Sequence, residues 1–456
     1  MNYGGPVPAP HHFTFAHSVA EGGRFVFLLF IFVLPFHRAI FLRENLFGIQ
    51  GLKPFNVLGA VALAYLIFQS APLHATDKIE LRSIRIFLLY FATFAIALIR
   101  SIPNAPIFHA RFPEYFPDSY LDYMLSYCMV PAFYTLPFLF ALKRMCSFEE
   151  LERIVTVVSF SISSLSVALI AIVLANPSAL VSVSQNEIAN LAGESRGELN
   201  DLCSAYFGLH YNTIGTLYIC TAPLLLYRVL TRGSVWIVPL TLTLAAVLLL
   251  QSRSALVSVA VSYCLLLIQR RRLGILMIGA AMVGIVALFW TGSTINSLLS
   301  VGFGRSSEIS ADAVLTGRLD SIWVPLINEW TRDIGLFLFG AGRAGMITSQ
   351  LWYTGVLIEA THPHNAIIGF FLDCGAIAAG VLLVFIYVGV STAWRVGRRL
   401  NHDLYWASFA GVFGYGISML TERDVFPAVD NVYVFLLIAM MINLARLFLR
   451  SRQPSA

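Results

Sequence analysis

Charged residues are scarce in this chain. Only 12% of its 456 residues are Asp, Glu, Lys or Arg, whereas 58% are hydrophobic. Soluble globular proteins carry about 25% charged residues, so the composition excludes a large soluble protein. It predicts instead a polytopic membrane protein, organised as a single membrane domain over residues 1–456.

Other familiar sequence features are absent as well. The six cysteines include no C-x-x-C pair, so neither a zinc site nor a redox pair is expected. The net charge of +5 is not concentrated in a basic tail with interleaved aromatics, so nucleic acid is not an expected partner. No basic n-region precedes the first apolar run, and that run is therefore predicted to be a retained span rather than a cleaved signal.

Long apolar runs dominate what is present. A helix needs roughly 20 mostly apolar residues to cross a bilayer. The predicted spans are 24–42, 54–71, 83–101, 120–142, 151–175, 206–228, 233–251, 253–269, 273–292, 364–394, 403–421 and 431–449. We therefore expect an all-α integral membrane protein of about twelve transmembrane helices. The longest connection, 293–363, separates spans nine and ten and is expected to carry short amphipathic helices.

Basic residues gather at the span ends on one side. They are Lys143, Arg144, Arg228, Arg232, Arg270, Arg271, Arg272, Arg395, Arg398, Arg399, Arg446, Arg450 and Arg452. Short loops rich in Lys and Arg stay in the cytoplasm, so this side is predicted to be cytoplasmic. With an even number of spans, both termini are expected there, and the 293–363 loop on the opposite, outer side.

Two arginines on the predicted outer side oppose this charge bias. Arg253 lies in "LLLQSRSALVS", a connection too tight for a solvated loop. Arg318 lies in "VLTGRLDSIWVPLINEW" (314–330), whose apolar residues predict an amphipathic helix on the outer membrane face. Each guanidinium is a candidate phosphate ligand, because its fork matches phosphate oxygens. The alternatives are a snorkelling Arg253 and a solvated Arg318.

Two histidines precede the tenth predicted span, in "EATHPHNAIIGFFLDCGAIAAG" (359–380). Pro363 suits the first turn of a helix, which predicts that His364 and Asn365 lie in that same turn. A helix N-terminus favours phosphate and disfavours imidazolium, so His364 would remain able to accept a proton. His362 cannot share a helical face with His364. The alternative is an interfacial histidine without a role.

The tenth predicted span is longer than a straight crossing requires. Residues 364–394 would reach roughly 45 Å as one helix. Gly375 and Gly380 permit a bend. Asp373 lies within this span, where a carboxylate is expected to be functional, paired, or engaged with backbone groups freed by the bend.

The order of these features resembles the bacterial O-antigen ligase and O-antigen polymerase superfamily. The features are "QSRS" (251–254), "LTGR" (315–318) and "HN" (364–365). The family signature is a histidine, then Asn, Ser or Gln, then nine residues and G-x-x-G. Here His364 and Asn365 fit, nine residues lead to Gly375, and Ala378 replaces the second glycine. Such proteins are membrane glycosyltransferases that use undecaprenyl-diphosphate-linked glycans.

The resemblance implies roles for three residues. His364 resembles the essential histidine of the family, the base that deprotonates the acceptor hydroxyl. Arg318 and Arg253 resemble its two essential arginines, which hold the diphosphate. The implied reaction is inverting and needs neither metal nor other cofactor. In agreement, the outward loop 37–53 has a lone Glu44 and no D-x-D pair.

Further residues are weaker candidates for substrate binding because they lie beside His364 or in the outer connections. They are Asn365, His362, Arg196, His210 and Arg343. A structural role is the alternative for each.

The function expected from this resemblance is transfer of a glycan from undecaprenyl diphosphate at the periplasmic face of a bacterial inner membrane. A polymerase of O-antigen or exopolysaccharide is slightly favoured over a ligase to lipid A core, because no feature indicates a lipid A surface. The rival is a flippase or transporter of lipid-linked oligosaccharide, which predicts ionisable residues deep within the spans. Expected partners are the lipid-linked donor, a glycan or lipid A-core acceptor and membrane lipid; other polysaccharide assembly proteins are candidates.

Overall fold

A computed structural model describes most of the chain. It covers residues 15–48, 53–68, 78–111, 130–176, 197–250, 252–272, 319–343, 345–353, 363–420, 425–426 and 428–451. Within these ranges every regular element is helical. The ninth predicted span, 273–292, and the first part of the 293–363 loop lie outside the described residues.

Sixteen α-helices occur in the described part of the chain. In order they are α1 Phe15–Val33, α2 Pro54–Phe68, α3 Lys78–Ser101, α4 Ala105–Arg111, α5 Val130–Arg144, α6 Phe148–Ala175, α7 Gly197–Phe207, α8 Tyr211–Arg232, α9 Ile237–Leu249, α10 Arg253–Gln269, α11 Val324–Arg332, α12 Ile334–Phe339, α13 Gln350–Tyr353, α14 Ala366–Leu400, α15 Asp403–Ser418 and α16 Val432–Ser451. A π-helix, Leu319–Trp323, leads into α11. Each predicted span that has described residues overlaps at least one of these helices.

Several helices are long and apolar enough to cross a membrane. Among the described residues five qualify, namely Leu81–Ile107, Phe148–Ala175, Tyr211–Arg232, Ala366–Leu400 and Val429–Ser451. Shorter apolar helices lie at Pro54–Phe68, Ser234–Leu249 and Ser254–Gln269. The protein is therefore an all-α membrane protein.

Local chemistry explains where the helices depart from the predicted spans. α1 ends at Val33, well before the predicted limit of 42, because Pro35 removes a backbone donor. α6 begins three residues early, because Ser147 and Glu150 form a reciprocal capping box. The predicted span 206–228 is interrupted near its start by a break between two helices. α7 ends at Phe207, Gly208 is left-handed (φ 64°), and α8 starts at Tyr211.

The core is built around α8, which is buried over most of its length. α15 packs against α8 and α10, and small residues let the backbones approach closely. Ser262 of α10 donates to the carbonyl oxygen of Ala410 at 2.9 Å, and a methyl group at Gly414 would lie 3.1 Å from the Ser258 carbonyl. α10 and α15 are therefore antiparallel neighbours.

Two of the arginines assigned to loops are buried inside the helices. Arg228 of α8 is only 3% exposed and pairs with Glu152 of α6 at 2.5 Å. Arg446 of α16 is 6% exposed and donates to the Leu142 carbonyl and to the Asn443 side chain, both at 3.0 Å. Their burial was not predicted, because hydropathy alone does not reveal a buried polar partner.

Candidate functional site

His364 occupies a special backbone position in front of α14. Its φ is +54°, the left-handed region that residues other than glycine rarely adopt. Asn365 is the N-cap, and its Oδ1 accepts from the backbone N–H groups of Ile367 and Ile368 at 3.0 Å. The prediction that Pro363 and His364 lie inside the first helical turn was wrong: the helix begins at Ala366. An Asx-type cap needs a side-chain oxygen just ahead of the helix, and Asn365 supplies it.

The neighbours of His364 are fastened to other elements. The Nδ2 of Asn365 donates to the Leu420 carbonyl at 3.0 Å, and the backbone N–H of Ala366 donates to the Met419 carbonyl at 2.9 Å. On the other flank, the indole nitrogen of Trp323 donates to the Pro363 carbonyl at 2.6 Å. The backbone of His364 is thus held between the end of α15 and the π-helix. The side-chain contacts of Asn365 give it a structural role, while substrate binding by this residue stays a prediction.

The predicted amphipathic helix exists in part, as the π-helix and α11. Its apolar side is buried against protein: Leu326 is fully buried, and Trp330 donates to the Leu372 carbonyl of α14 at 3.1 Å. Met346 completes this cluster with Leu372. The expectation that this apolar face lies on the membrane was therefore wrong for the described part, because α14 and the segment after α12 cover it.

α14 is broken at Gly375, which has a φ of +81°. A side chain there would collide with the Leu338 carbonyl, so the α12 segment occupies the inside of the break. The carbonyl oxygens of Leu372 and Asp373 accept from the backbone N–H groups of Ala341 and Gly342, both at 2.9 Å. The segment after α12 thus satisfies backbone groups at the break.

Arg343 and Asp373 form an ion pair at this break. The Arg343 Nη1 lies 3.2 Å from the Asp373 Oδ2, and the Asp373 Oδ1 accepts from the Gly345 N–H at 3.0 Å. The Asp373 side chain is 7% exposed and that of Arg343 22%. The guanidinium also lies 5.1 Å from the ring centre of Phe426. These contacts explain both residues structurally, and a substrate contact by Arg343 stays a prediction.

Arg253 is the first residue of α10, and its side chain lies outside what the structure describes. Its backbone position follows from the helix pairing. Since Ser262 and Ser258 pack beside Ala410 and Gly414, the start of α10 lies beside the end of α15. That end is the one to which Asn365 is bonded. The backbone of Arg253 therefore lies at the same end of the bundle as His364.

The other predicted site residues divide into two groups. Arg318, His362 and Arg196 lie outside the described residues. His210 is exposed and caps α8, its Nδ1 accepting from the Asn212 N–H at 3.2 Å. Although Arg318 itself is not described, the next residue, Leu319, opens the π-helix that carries Trp323.

The sequence did not predict that Trp323 would act as a hydrogen-bond donor at this site. Trp323 was treated only as part of an apolar face. The available signal was chemical, since a buried indole normally finds an acceptor for its N–H group. Among the described residues, no group of three or more His, Cys, Asp or Glu side chains is arranged to hold a metal ion.

Comparison of the chain with protein-family models gives no match, and neither does comparison with curated proteins.

Proposed function

We propose that the protein is a membrane glycosyltransferase that moves a glycan from undecaprenyl diphosphate to an acceptor hydroxyl. The observation that carries the proposal is the left-handed backbone of His364, immediately ahead of a capped helix. Unusual backbone conformations persist where the surrounding structure over-determines them, and they cluster at functional sites. Here the contacts of Trp323 and Asn365 supply that constraint.

In the proposed reaction His364 accepts the proton of the acceptor hydroxyl. The acceptor oxygen forms a bond to the anomeric carbon, and the bond from that carbon to the diphosphate oxygen breaks with inversion. Undecaprenyl diphosphate leaves with the electron pair. Arg253 and Arg318 would neutralise the charge that develops on it, an effect that is large in a site with little water. A positioned base contributes about 10²–10⁴-fold in rate.

The proposal includes the topology expected from the sequence. The chain would cross a bacterial inner membrane about twelve times, with both termini cytoplasmic and the 293–363 loop periplasmic. Support comes from the opposite ends of α14: His364 precedes its start, whereas Arg398 and Arg399 lie in its last turn. Arginines close to cytoplasmic span ends fit this orientation.

A transporter of lipid-linked oligosaccharide is the second candidate. One observation favours it, namely the break in α14 at Gly375 with the Asp373–Arg343 pair beside it. Broken helices with polar groups near the membrane midplane are typical of transporter binding sites. The break is filled by protein, however, because the segment after α12 satisfies its carbonyl groups, and we therefore rank transport second.

Purified protein incubated with an undecaprenyl-diphosphate oligosaccharide, with and without lipid A core, tests the proposal. A ladder of products without core indicates a polymerase, and a shift of the core indicates a ligase. Movement of the substrate across a vesicle membrane without turnover would replace the proposal with transport. Activity that persists in chelator supports a metal-independent reaction, whereas loss that a divalent ion restores opposes it.

A further inference from the structure

At the end of the bundle opposite His364, a polar cleft lies between the end of α10 and the start of α15. We name it the basic cleft and define it by Gln269, Arg270, Arg271, Asn401 and Asp403. The Gln269 side chain lies 3.4 Å from that of Asn401, and Arg270 forms an ion pair with Asp403. The two walls of the cleft are thus joined by polar contacts.

The backbone at the cleft turns in a way that presents Arg271. α10 ends in a C-capping motif in which the N–H groups of Arg271 and Arg272 donate to the carbonyls of Ile268 and Leu267, at 3.0 and 2.9 Å. Arg271 takes the left-handed position (φ 53°), which glycine usually fills. Asn401 is also left-handed (φ 47°). Arg271 therefore occupies a backbone position at which glycine is the usual residue and larger residues are disfavoured.

Positive charge in and around the basic cleft exceeds negative charge. Arg271 and Arg272 are both exposed, and among the described residues no carboxylate forms an ion pair with either. Burial lowers the pKa of Arg270, and the nearby charge of Arg272 lowers it further, although Arg270 remains charged at neutral pH. Arg398 and Arg399, in the last turn of α14, add two more exposed cations close to Asn401.

Asp403 forms its ion pair with Arg270. The side chains of Arg271 and Arg272 therefore remain able to bind an external anion. Phosphate suits them, since guanidinium groups bind phosphate oxygens through paired hydrogen bonds. The cleft lies at the end of apolar helices that a membrane would surround, so the phosphates nearest to it would be those of lipid headgroups. From these observations we propose that the basic cleft is a binding site for the phosphate headgroup of an anionic membrane phospholipid.

The test is native mass spectrometry of the delipidated full-length protein in detergent, titrated with phosphatidylglycerol, cardiolipin or phosphatidylcholine. We expect the two anionic lipids to bind in preference to phosphatidylcholine. The double variant Arg271→Gln/Arg272→Gln should lose about 25-fold in affinity, because each arginine near an anionic lipid contributes about fivefold and the two effects multiply. The matched control is Arg82→Gln/Arg85→Gln, which removes the same charge from two exposed arginines near the start of α3 and should bind as the wild type does.

Three results would overturn the proposal. Equal binding of phosphatidylcholine would show that no anionic headgroup is selected. Equal loss in the control variant would show a general attraction by net charge rather than a site. Displacement of the lipid by millimolar inorganic phosphate would assign the basic cleft to a free anion. The measurement detects lipid binding alone, so its outcome is independent of whether the protein transfers glycans.

Discussion

The indole nitrogen of Trp323 donates a 2.6 Å hydrogen bond to the carbonyl oxygen of Pro363. This bond joins the helix that follows Arg318 to the residue that precedes His364. Both partners are buried, Trp323 with only 8% of its surface exposed. The two segments are 40 residues apart in the chain, so the contact fixes how the end of the long loop meets α14.

Replacing Trp323 by Phe keeps an aromatic ring and removes the donor. We expect the free energy of unfolding to fall by about 1 kcal/mol, because the buried Pro363 carbonyl loses its partner. If glycan transfer is the function, kcat should fall by about tenfold or more, since small misplacements of reacting groups are costly. The control is Trp394→Phe, on an exposed ring of α14. Equal effects in the two variants would contradict a positioning role for Trp323.

Substitution of His364 separates its chemistry from its backbone conformation. Asn adopts the left-handed region more readily than most residues, so His364→Asn should preserve the fold. It supplies no base, and the transfer rate should fall by about 10²–10⁴-fold. The quantities to compare are the initial rate of transfer and the melting temperature.

The matched control for that experiment is His402→Asn. His402 caps α15 through its Nδ1, and Asn is also a good N-cap, so both stability and transfer should be retained. A His364→Asn protein that is folded and transfers glycans at the wild-type rate would contradict the assignment of His364 as the base.

The sequence predicted the existence of helices well because a long apolar run has few other structures available in a membrane. The 253–269 segment was predicted with its observed bounds, although only three residues separate it from the end of α9 at Leu249. Helix ends were less accurate where capping groups decide them, as at Ser147 and Asn365. A cap depends on one side chain, which an average over hydropathy does not register.

Tertiary contacts explain why the sequence did not predict the burial of Arg228 and Arg446, or the packing of the amphipathic helix against protein. Glu152 lies 76 residues from Arg228 in the chain, and nothing local in the sequence links them. The bend in α14 was expected at either Gly375 or Gly380, and the α12 segment selects Gly375 by filling the break. For the candidate site, sequence order nominated His364, whose role stays a prediction, and it did not reveal the bonds that hold its neighbours.

Two of the glycines of α14, Gly375 and Gly380, provide a paired test of the break. Gly375→Ala places a side chain at φ +81° and against the Leu338 carbonyl, and we expect a loss of more than about 2 kcal/mol. Gly380→Ala meets no atom within 4 Å and should be neutral or stabilising by up to about 1 kcal/mol, because Ala favours helix. Melting temperatures in the same detergent give the comparison. A stable Gly375→Ala protein would mean that α14 is straight in the membrane.

The ion pair at the break is tested by a double-mutant cycle. Arg343→Met removes the cation and leaves the Asp373 carboxylate buried, so we expect a loss of about 3 kcal/mol. Asp373→Asn in the Arg343→Met background removes that buried charge while keeping an oxygen that can accept from the Gly345 N–H. The double variant should therefore be more stable than Arg343→Met alone, a coupling that unfolding measurements on the four proteins would detect. If the losses of the two single variants, Arg343→Met and Asp373→Asn, simply add in the double variant, the ion pair contributes nothing specific to stability. Arg343 then becomes available again as a ligand for substrate phosphate.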